Sequence, residues 1–501
     1  MRILSSFIAG EHVADSTLRR IPVNNPADGS LLARLEVANE ARVDSAVCAA
    51  ASAAPQWRLT RPADRCSYLN AIADAIEENA DALAQCETAD TGMTLRMTRN
   101  GHIPRAAEHF RWYAAEADRL SGSCLRTDAA YLHLVERVPL GTIAIVAPWN
   151  APLAVASLST AAALAAGNTC VVKPSERAPL SISLLAQIVH AVGLPNGVFN
   201  VVHGDHETGR TLVSHPGIAG VCFVGSVDAG REVIHAAASQ VKRVVLELGG
   251  KSPTIVLADA ELQAAVDGAL LSAFSSNGEV CTAGSRIIVE EGVHDEFVAE
   301  FVRRTRNIIV GSPTAPATEV GPLIDEQHLM RVERWISEAL LEGATLACGG
   351  TRVDGLAAGC YLNPTVFTDV HNGMNIARNE VFGPVAAILR APDADAAVDL
   401  ANDSDYGLAA TLWTSNVSRG LALASRVDAG NIAINCPVIR NPRVPFGGTK
   451  RSGLGRVGGR LGLEQLTEAR VTIVPVQGYE LPRMGLQLSE DPGAPTTAGL
   501  P

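Results

Sequence analysis

Three short segments carry residue types that could do chemistry together. The first is Phe274-Ser275-Ser276-Asn277-Gly278-Glu279-Val280-Cys281-Thr282-Ala283-Gly284-Ser285. A cysteine nucleophile must be reachable and able to form a thiolate, and small neighbours leave room for a substrate to approach Cys281. By itself a lone cysteine is more often structural. The second is Leu246-Glu247-Leu248-Gly249-Gly250-Lys251-Ser252-Pro253. Burial among apolar groups would raise the pKa of Glu247 towards the range of a general base, and the plain alternative is a buried ion pair with Lys251. The third is Ala147-Pro148-Trp149-Asn150. An Asn150 amide at the end of a strand could donate to a developing oxyanion, or could be an ordinary turn residue.

The elements that must position these segments follow from the pattern of apolar residues. From about residue 140 the chain alternates β-rich runs with helical stretches. Residues 142–146, 169–172, 198–202 and 221–224 read as strands, and 152–166, 180–192 and 228–238 as helices. The rhythm repeats with strands at 254–257 and 285–289 and helices at 262–274 and 293–307. Such a β-α-β-α order predicts parallel sheets covered on both faces, with ligands at the carboxyl ends of the strands. A chain of 501 residues also exceeds what one core supports, so two or more domains are expected.

Composition excludes several function classes. The formal charge is −12 and no basic run stands out, which argues against a nucleic-acid partner. The first residues lack the apolar core of a signal peptide, and the longest apolar stretch, near 151–166, is too short and too polar to span a bilayer. The ten cysteines contain no CxxC pair, so neither a metal site nor a disulfide framework is expected. These points suggest a cytoplasmic protein without a membrane partner. The segment from about 489 onward, rich in proline and glycine, reads as a disordered tail.

Taken together, the three segments resemble the aldehyde dehydrogenase superfamily, over about residues 7–480. The glutamate motif around Glu247 precedes the cysteine motif around Cys281, and the Asn150 motif precedes both. The resemblance implies that Cys281 attacks the aldehyde and that Asn150 and the Cys281 N–H hold the oxyanion. Hydride loss leaves a thioester, and Glu247 activates water to release the acid. Members that pass the acyl group to coenzyme A tend to lack this glutamate, so free acid is the implied product. The implied fold is α/β: a Rossmann-like parallel-sheet cofactor domain (1–121 and 140–248), an α/β catalytic domain (249–450) and a small β oligomerisation arm (122–139 and 464–483). A homodimer or homotetramer is implied.

By the same resemblance, Lys173 and Glu176 hold the adenosine ribose, and a carboxylate there favours NAD over NADP. Gly225, Ser226 and Gly230 lie where a strand runs into a helix whose start can receive a pyrophosphate. Trp149, Leu248, Glu380 and Phe382 complete the cofactor set. One departure concerns Arg456, which many members follow with a glutamate; here Val457 follows it.

Among family members the chain resembles the dehydrogenases of 2-hydroxymuconic, 2-aminomuconic and carboxymethyl-hydroxymuconic semialdehydes. In some of these, two arginines recognise the substrate carboxylate, and Arg105 and Arg440 occupy the matching positions. An arginine fork suits a planar carboxylate because it donates two parallel hydrogen bonds. The sequence Arg440-Asn441-Pro442-Arg443 replaces the usual Arg-Asp-Leu-Arg, which leaves the direction of Arg440 open. Two other readings stand beside this one. One is a broad-range enzyme for neutral aldehydes; the other is a catalytically silent NAD-binding homologue.

Overall fold

The computed structural model describes residues 2–127, 130–356, 358–476 and residue 484. Its first sheet has a parallel centre in the order Arg243–Glu247, Gly220–Val224, Thr142–Val146, Thr169–Lys173, Phe199–Val201. Ser6–Ile8 and Glu11–Val13 extend one edge antiparallel, and Gly453–Leu454 extends the other. The central strands are continuous apolar runs because helices cover both faces. The helix Pro152–Ala165 is buried along nearly its whole length and starts on a proline, whose missing N–H costs nothing in the first turn.

Strand order reverses at Thr142–Val146: the next two strands in sequence lie on one side of it and the following two on the other. At such a switch point neighbouring loops leave in opposite directions and open a crevice. The loop of Trp149 and Asn150 follows the strand Thr142–Val146, and the turn of Gly225 and Ser226 follows its neighbour Gly220–Val224.

The second sheet runs Thr345–Cys348, Thr365–Thr368, Val385–Ala391, Arg286–Glu290, Pro253–Val256, Ala409–Trp413, Asn431–Ile434, parallel except for its first strand. Glu247 ends a strand of the first sheet, and after a short link Pro253 starts the centre of the second. Cys281 and Phe382 also stand just before strands of the second sheet. The carboxyl ends of one sheet thus face the amino ends of the other.

A third, antiparallel sheet joins Ser123–Arg126, Tyr131–Pro139 and Thr467–Pro475. Most expected elements lie within one or two residues of the observed ones. The helix expected at 293–307 is shorter, His294–Thr305, because Glu291–Val293 forms a 3-10 turn ahead of it. No helix among the described residues is long and apolar enough to cross a membrane. The expected tail at 489–501 and residues 477–483 of the arm lie outside the described residues.

Candidate active site

A cavity of about 920 Å³ lies between the two sheets. Every candidate catalytic, cofactor and substrate residue from the sequence lines it except Gly230. The backbone N–H of Gly230 already donates to the Ser226 carbonyl inside the helix Val227–Ala238. A Cβ there would sit 2.6 Å from Leu248 Cδ2. Gly230 lets the helix pack closely on Leu248 and does not itself line the cavity.

The loop before Cys281 is wound left-handed at three successive residues: Ser276 (φ 49°), Asn277 (φ 60°) and Gly278 (φ 70°). Side chains disfavour this region, so the surroundings must hold it. Asn277 is buried; its Nδ2 donates to Pro322 O (2.9 Å) and its Oδ1 accepts from Gly321 N (2.7 Å). A Cβ on Gly278 would meet Gly383 O at 2.3 Å, and one on Gly250 would meet Cys281 O at 2.6 Å. Three loops thus interlock backbone to backbone around the thiol. Glu279 is fully buried, and burial pushes its carboxyl well above the usual range. Its backbone carbonyl accepts from Asn150 Nδ2 at 2.7 Å, which ties the Asn150 amide to the Cys281 loop.

Glu247 is 6% exposed, and neither carboxyl oxygen has a hydrogen-bond partner among the described residues. Burial raises its pKa to about 8, against the opposing charges of Arg440 and Arg456 and the nearby Val457 N–H, which is bonded to Phe446 O at 2.9 Å. The alternative, an ion pair with Lys251, is not formed. Lys251 is also buried, with no partner for Nζ among the described residues, and burial lowers its pKa to about 7. Glu247 closes the first sheet whereas Lys251 leads into the second, so the turn between them separates the side chains. A carboxyl raised by burial and left without a donor suits an acid or base working near neutral pH.

Arg440 turns inward despite Pro442. Its Nη2 donates to Cys281 Sγ at 3.1 Å and to Thr282 Oγ1 at 3.4 Å, and its guanidinium lies 4.7 Å over the Phe446 ring. Arg443 leaves the site and pairs with Glu108. No described residue hydrogen-bonds or ion-pairs to Arg105, which faces the cavity; burial first, then the charge of Arg440, lowers its pKa to about 10. Arg105 stands in the first turn of the helix Ile103–Ala117, directly after a π-helical turn at Thr98–His102. The fully buried Glu87 anchors that turn: Oε1 lies 2.6 Å from His102 Nδ1. Its Oε2 accepts from Leu153 N (3.2 Å) and Ser181 Oγ (3.0 Å). One carboxylate thereby joins the helix of Arg105 to the helix that follows Asn150. Sequence reasoning missed Glu87 and His102, since nothing local marks a glutamate in a helix as a hub.

On the opposite side the polar groups are already engaged. Lys173 Nζ lies 3.2 Å from Glu176 Oε2. Ser226 caps its helix through Ala229 N at 3.3 Å. A Cβ on Gly225 would come within 2.5 Å of Phe223 Cζ, so a side chain there would displace the Phe223 ring. Glu380 Oε1 accepts from Gly250 N at 3.0 Å, and burial raises its pKa to about 7. Phe382 adopts a left-handed backbone (φ 59°) and meets the Trp149 ring edge-on at 5.3 Å. A carboxylate for ribose hydroxyls, a capped helix start for phosphates and an aromatic wall fit a dinucleotide. His328, also on this wall, was not anticipated.

A switch-point crevice opening onto a thiol and a partnerless buried carboxyl defines a dinucleotide-dependent oxidoreductase. Residues 12–472 match the aldehyde dehydrogenase family, and the chain belongs to it. It is 40% identical over 480 residues to a betaine aldehyde dehydrogenase from Rhizobium etli, covering 94% of this chain and 98% of that protein. HpcC from Thermus thermophilus superposes with a TM-score of 0.94 at 40% identity, over 97% of this chain and 95% of that one. The NAD+ complex of the aldehyde dehydrogenase from Bacillus cereus gives 0.93 at 36% identity, over 95% and 97%.

Proposed function

We propose that this aldehyde dehydrogenase oxidises a carboxylate-bearing aldehyde to the acid, using NAD, with Cys281, Glu247 and Asn150 as catalytic residues. The observation that carries the substrate reading is the Arg440 guanidinium 3.1 Å from the Cys281 sulfur, with Arg105 in the same cavity and without a partner among the described residues. Two cations beside a nucleophile need an anionic partner, and a substrate carboxylate within a few carbons of the aldehyde supplies one. The aldehyde named in the Rhizobium relative carries a quaternary ammonium, which the two guanidinium groups repel. Quaternary ammonium groups favour aromatic faces, and that of Phe446 is covered by Arg440.

NAD, when bound, supplies the hydride acceptor. Lys173 and Glu176 would hold its adenosine ribose, Gly225 and Ser226 its phosphates, and Trp149, Leu248, Glu380 and Phe382 its nicotinamide end. The Glu176 carboxylate repels a 2′-phosphate and so favours NAD over NADP. The Cys281 sulfur adds to the aldehyde carbon and leaves a tetrahedral alkoxide. That oxygen takes hydrogen bonds from the Cys281 N–H and the second Asn150 amide hydrogen. An amide nitrogen carries two hydrogens, and Glu279 O occupies one. Loss of hydride leaves a thioester. Glu247, ionised, then takes a proton from water, the hydroxide attacks the thioester, and the acid departs as the Cys281 thiolate is released. With Val457 in place of a glutamate, Glu247 returns its proton to solvent.

The division into cofactor, catalytic and arm regions belongs to the same reading. Val471 and Ile473 stand exposed on the strand Thr467–Pro475. A second copy of the chain covering them gives a homodimer or homotetramer.

The test is kcat/KM with NAD for 2-hydroxymuconic semialdehyde, a neutral aldehyde of similar length and betaine aldehyde. A preference of about a hundredfold for the carboxylated substrate, roughly 2.7 kcal/mol, is expected. Comparable rates would leave the thioester chemistry standing and remove the carboxylate assignment in favour of a broad-range enzyme.

A further inference from the structure

We propose that His328 is a positioning residue for the reaction: it fixes the backbone that carries Phe382, and so sets the aromatic wall where the nicotinamide end of the cofactor would lie. The proposal rests on the reading of Phe382 as a cofactor contact.

Phe382 is held in the left-handed backbone region, where side chains are disfavoured and no glycine relieves the crowding. Something must keep the peptide in that orientation. His328 Nε2 donates to the Phe382 carbonyl at 2.7 Å. His328 is itself held at its backbone and on two sides of its ring. Asp325 caps its helix by accepting from His328 N at 2.8 Å. The Trp149 ring packs edge-on at 5.4 Å, and the Glu279 carboxyl lies 3.8 Å from Nε2. The Trp149, His328 and Phe382 rings thus form a triangle, with His328 and Phe382 6.3 Å apart and Trp149 at nearly equal distances from both. His328 is buried and lines the cavity. Its neutral, single-tautomer form is the one that fits: Nε2 carries the hydrogen and the carbonyl accepts it. Burial lowers its pKa to about 4, so the arrangement persists across the working range of the enzyme.

The geometry also explains why this histidine answers to cofactor rather than to substrate. Its hydrogen bond goes to the loop of Phe382, whereas Arg440 donates to Cys281 and Thr282. Removing the donor frees the Phe382 peptide to relax towards an ordinary conformation, which swings the ring off Trp149. The nucleophile and the base are untouched.

Three variants test this in the full-length enzyme. His328→Gln keeps a side-chain N–H at a similar reach; His328→Phe keeps an aromatic of similar bulk without a donor; Phe382→Ala removes the wall itself. The readouts are KM for NAD, kcat, and the rate of Cys281 alkylation by iodoacetamide without cofactor. His328→Phe is expected to raise KM for NAD about tenfold, with kcat falling less than about threefold and alkylation unchanged within about twofold. His328→Gln is expected to restore KM to within about threefold of the parent. The proposal is overturned if His328→Phe leaves KM for NAD unchanged while Phe382→Ala raises it, or if the glutamine variant is as impaired as the phenylalanine variant. If Phe382→Ala leaves KM for NAD unchanged, the assignment of Phe382 to the cofactor fails instead. Loss of alkylation in His328→Phe would mean that the Cys281 loop collapsed, and would overturn a role confined to Phe382.

Discussion

The two halves of the cavity are built on opposite principles. Around Lys173, Glu176, Ser226 and Glu380, each polar group already has a partner three residues away or across one loop contact. Around Cys281, Glu247 and Arg105 the groups are left open. There is a carboxyl with no donor, a guanidinium with no acceptor among the described residues, and a thiol whose charged neighbour comes from far along the chain. Paired groups hold a shape ready for a ligand of fixed design. Unpaired charges in a buried place store unfavourable electrostatics that only a reacting substrate can relieve. On the proposed reading, the cofactor side is thus a mould, and the substrate side is the reagent.

This contrast can be broken most sharply at the thiol. Cys281→Ala is expected to lower NADH formation by about a thousandfold or more and to abolish a covalent acyl-enzyme seen by mass spectrometry. Residual turnover near the parent rate would move the chemistry elsewhere.

The next largest effect belongs to Glu247. Glu247→Gln is expected to lower steady-state kcat by about a hundredfold while retaining a first-turnover burst of NADH, because the base acts after hydride loss. Its burial also sets a pH dependence. The working form is the ionised carboxylate and burial raises the pKa to about 8, so kcat should climb as pH rises through about 8. A parent profile that is flat from about pH 6 to about pH 9 would assign the base to another group.

At the arginines the effect is smaller and selective. Arg440→Gln or Arg105→Gln is expected to raise KM for a carboxylated aldehyde by about thirty- to a hundredfold and that for a neutral aldehyde by less than about threefold. Equal effects on both would show that the guanidinium serves the thiol rather than the substrate. Arg440→Lys sharpens the point, since it keeps the charge and loses the fork.

The smallest effect is expected on the mould. Glu176→Gln should narrow the preference for NAD over NADP by about tenfold with little change in kcat, because the substitution removes a repulsion and no reacting group. A loss of kcat as large as that of the Glu247 variant would erase the distinction between the two halves.

How much of this was legible in the chain depends on distance along it. The β-α-β-α order, the strand of Thr142–Val146 and the turn at Gly225 and Ser226 are local patterns, set by apolar periodicity and helix-start chemistry. They lie where the residues indicate. Gly230 falls in the first turn of its helix as the residues indicate, but that Leu248 packs against it is seen only in the tertiary structure. Lys251 looked like a partner for Glu247 because it is close in the chain, yet the chain changes sheets between them.

By itself the sequence determined the family, the order of the elements and the identities of the thiol, the buried acid and the amide. These depend on residue types in short, ordered motifs. The tertiary structure alone decided that Arg440 points at Cys281 past Pro442, that Arg105 has no partner among the described residues, that Glu87 and His102 carry its helix, and that His328 braces Phe382. Each of those is a matter of segments far apart in the chain. Which long-range partner a charged or polar side chain finds is set by how two sheets pack against each other, and no local pattern encodes that.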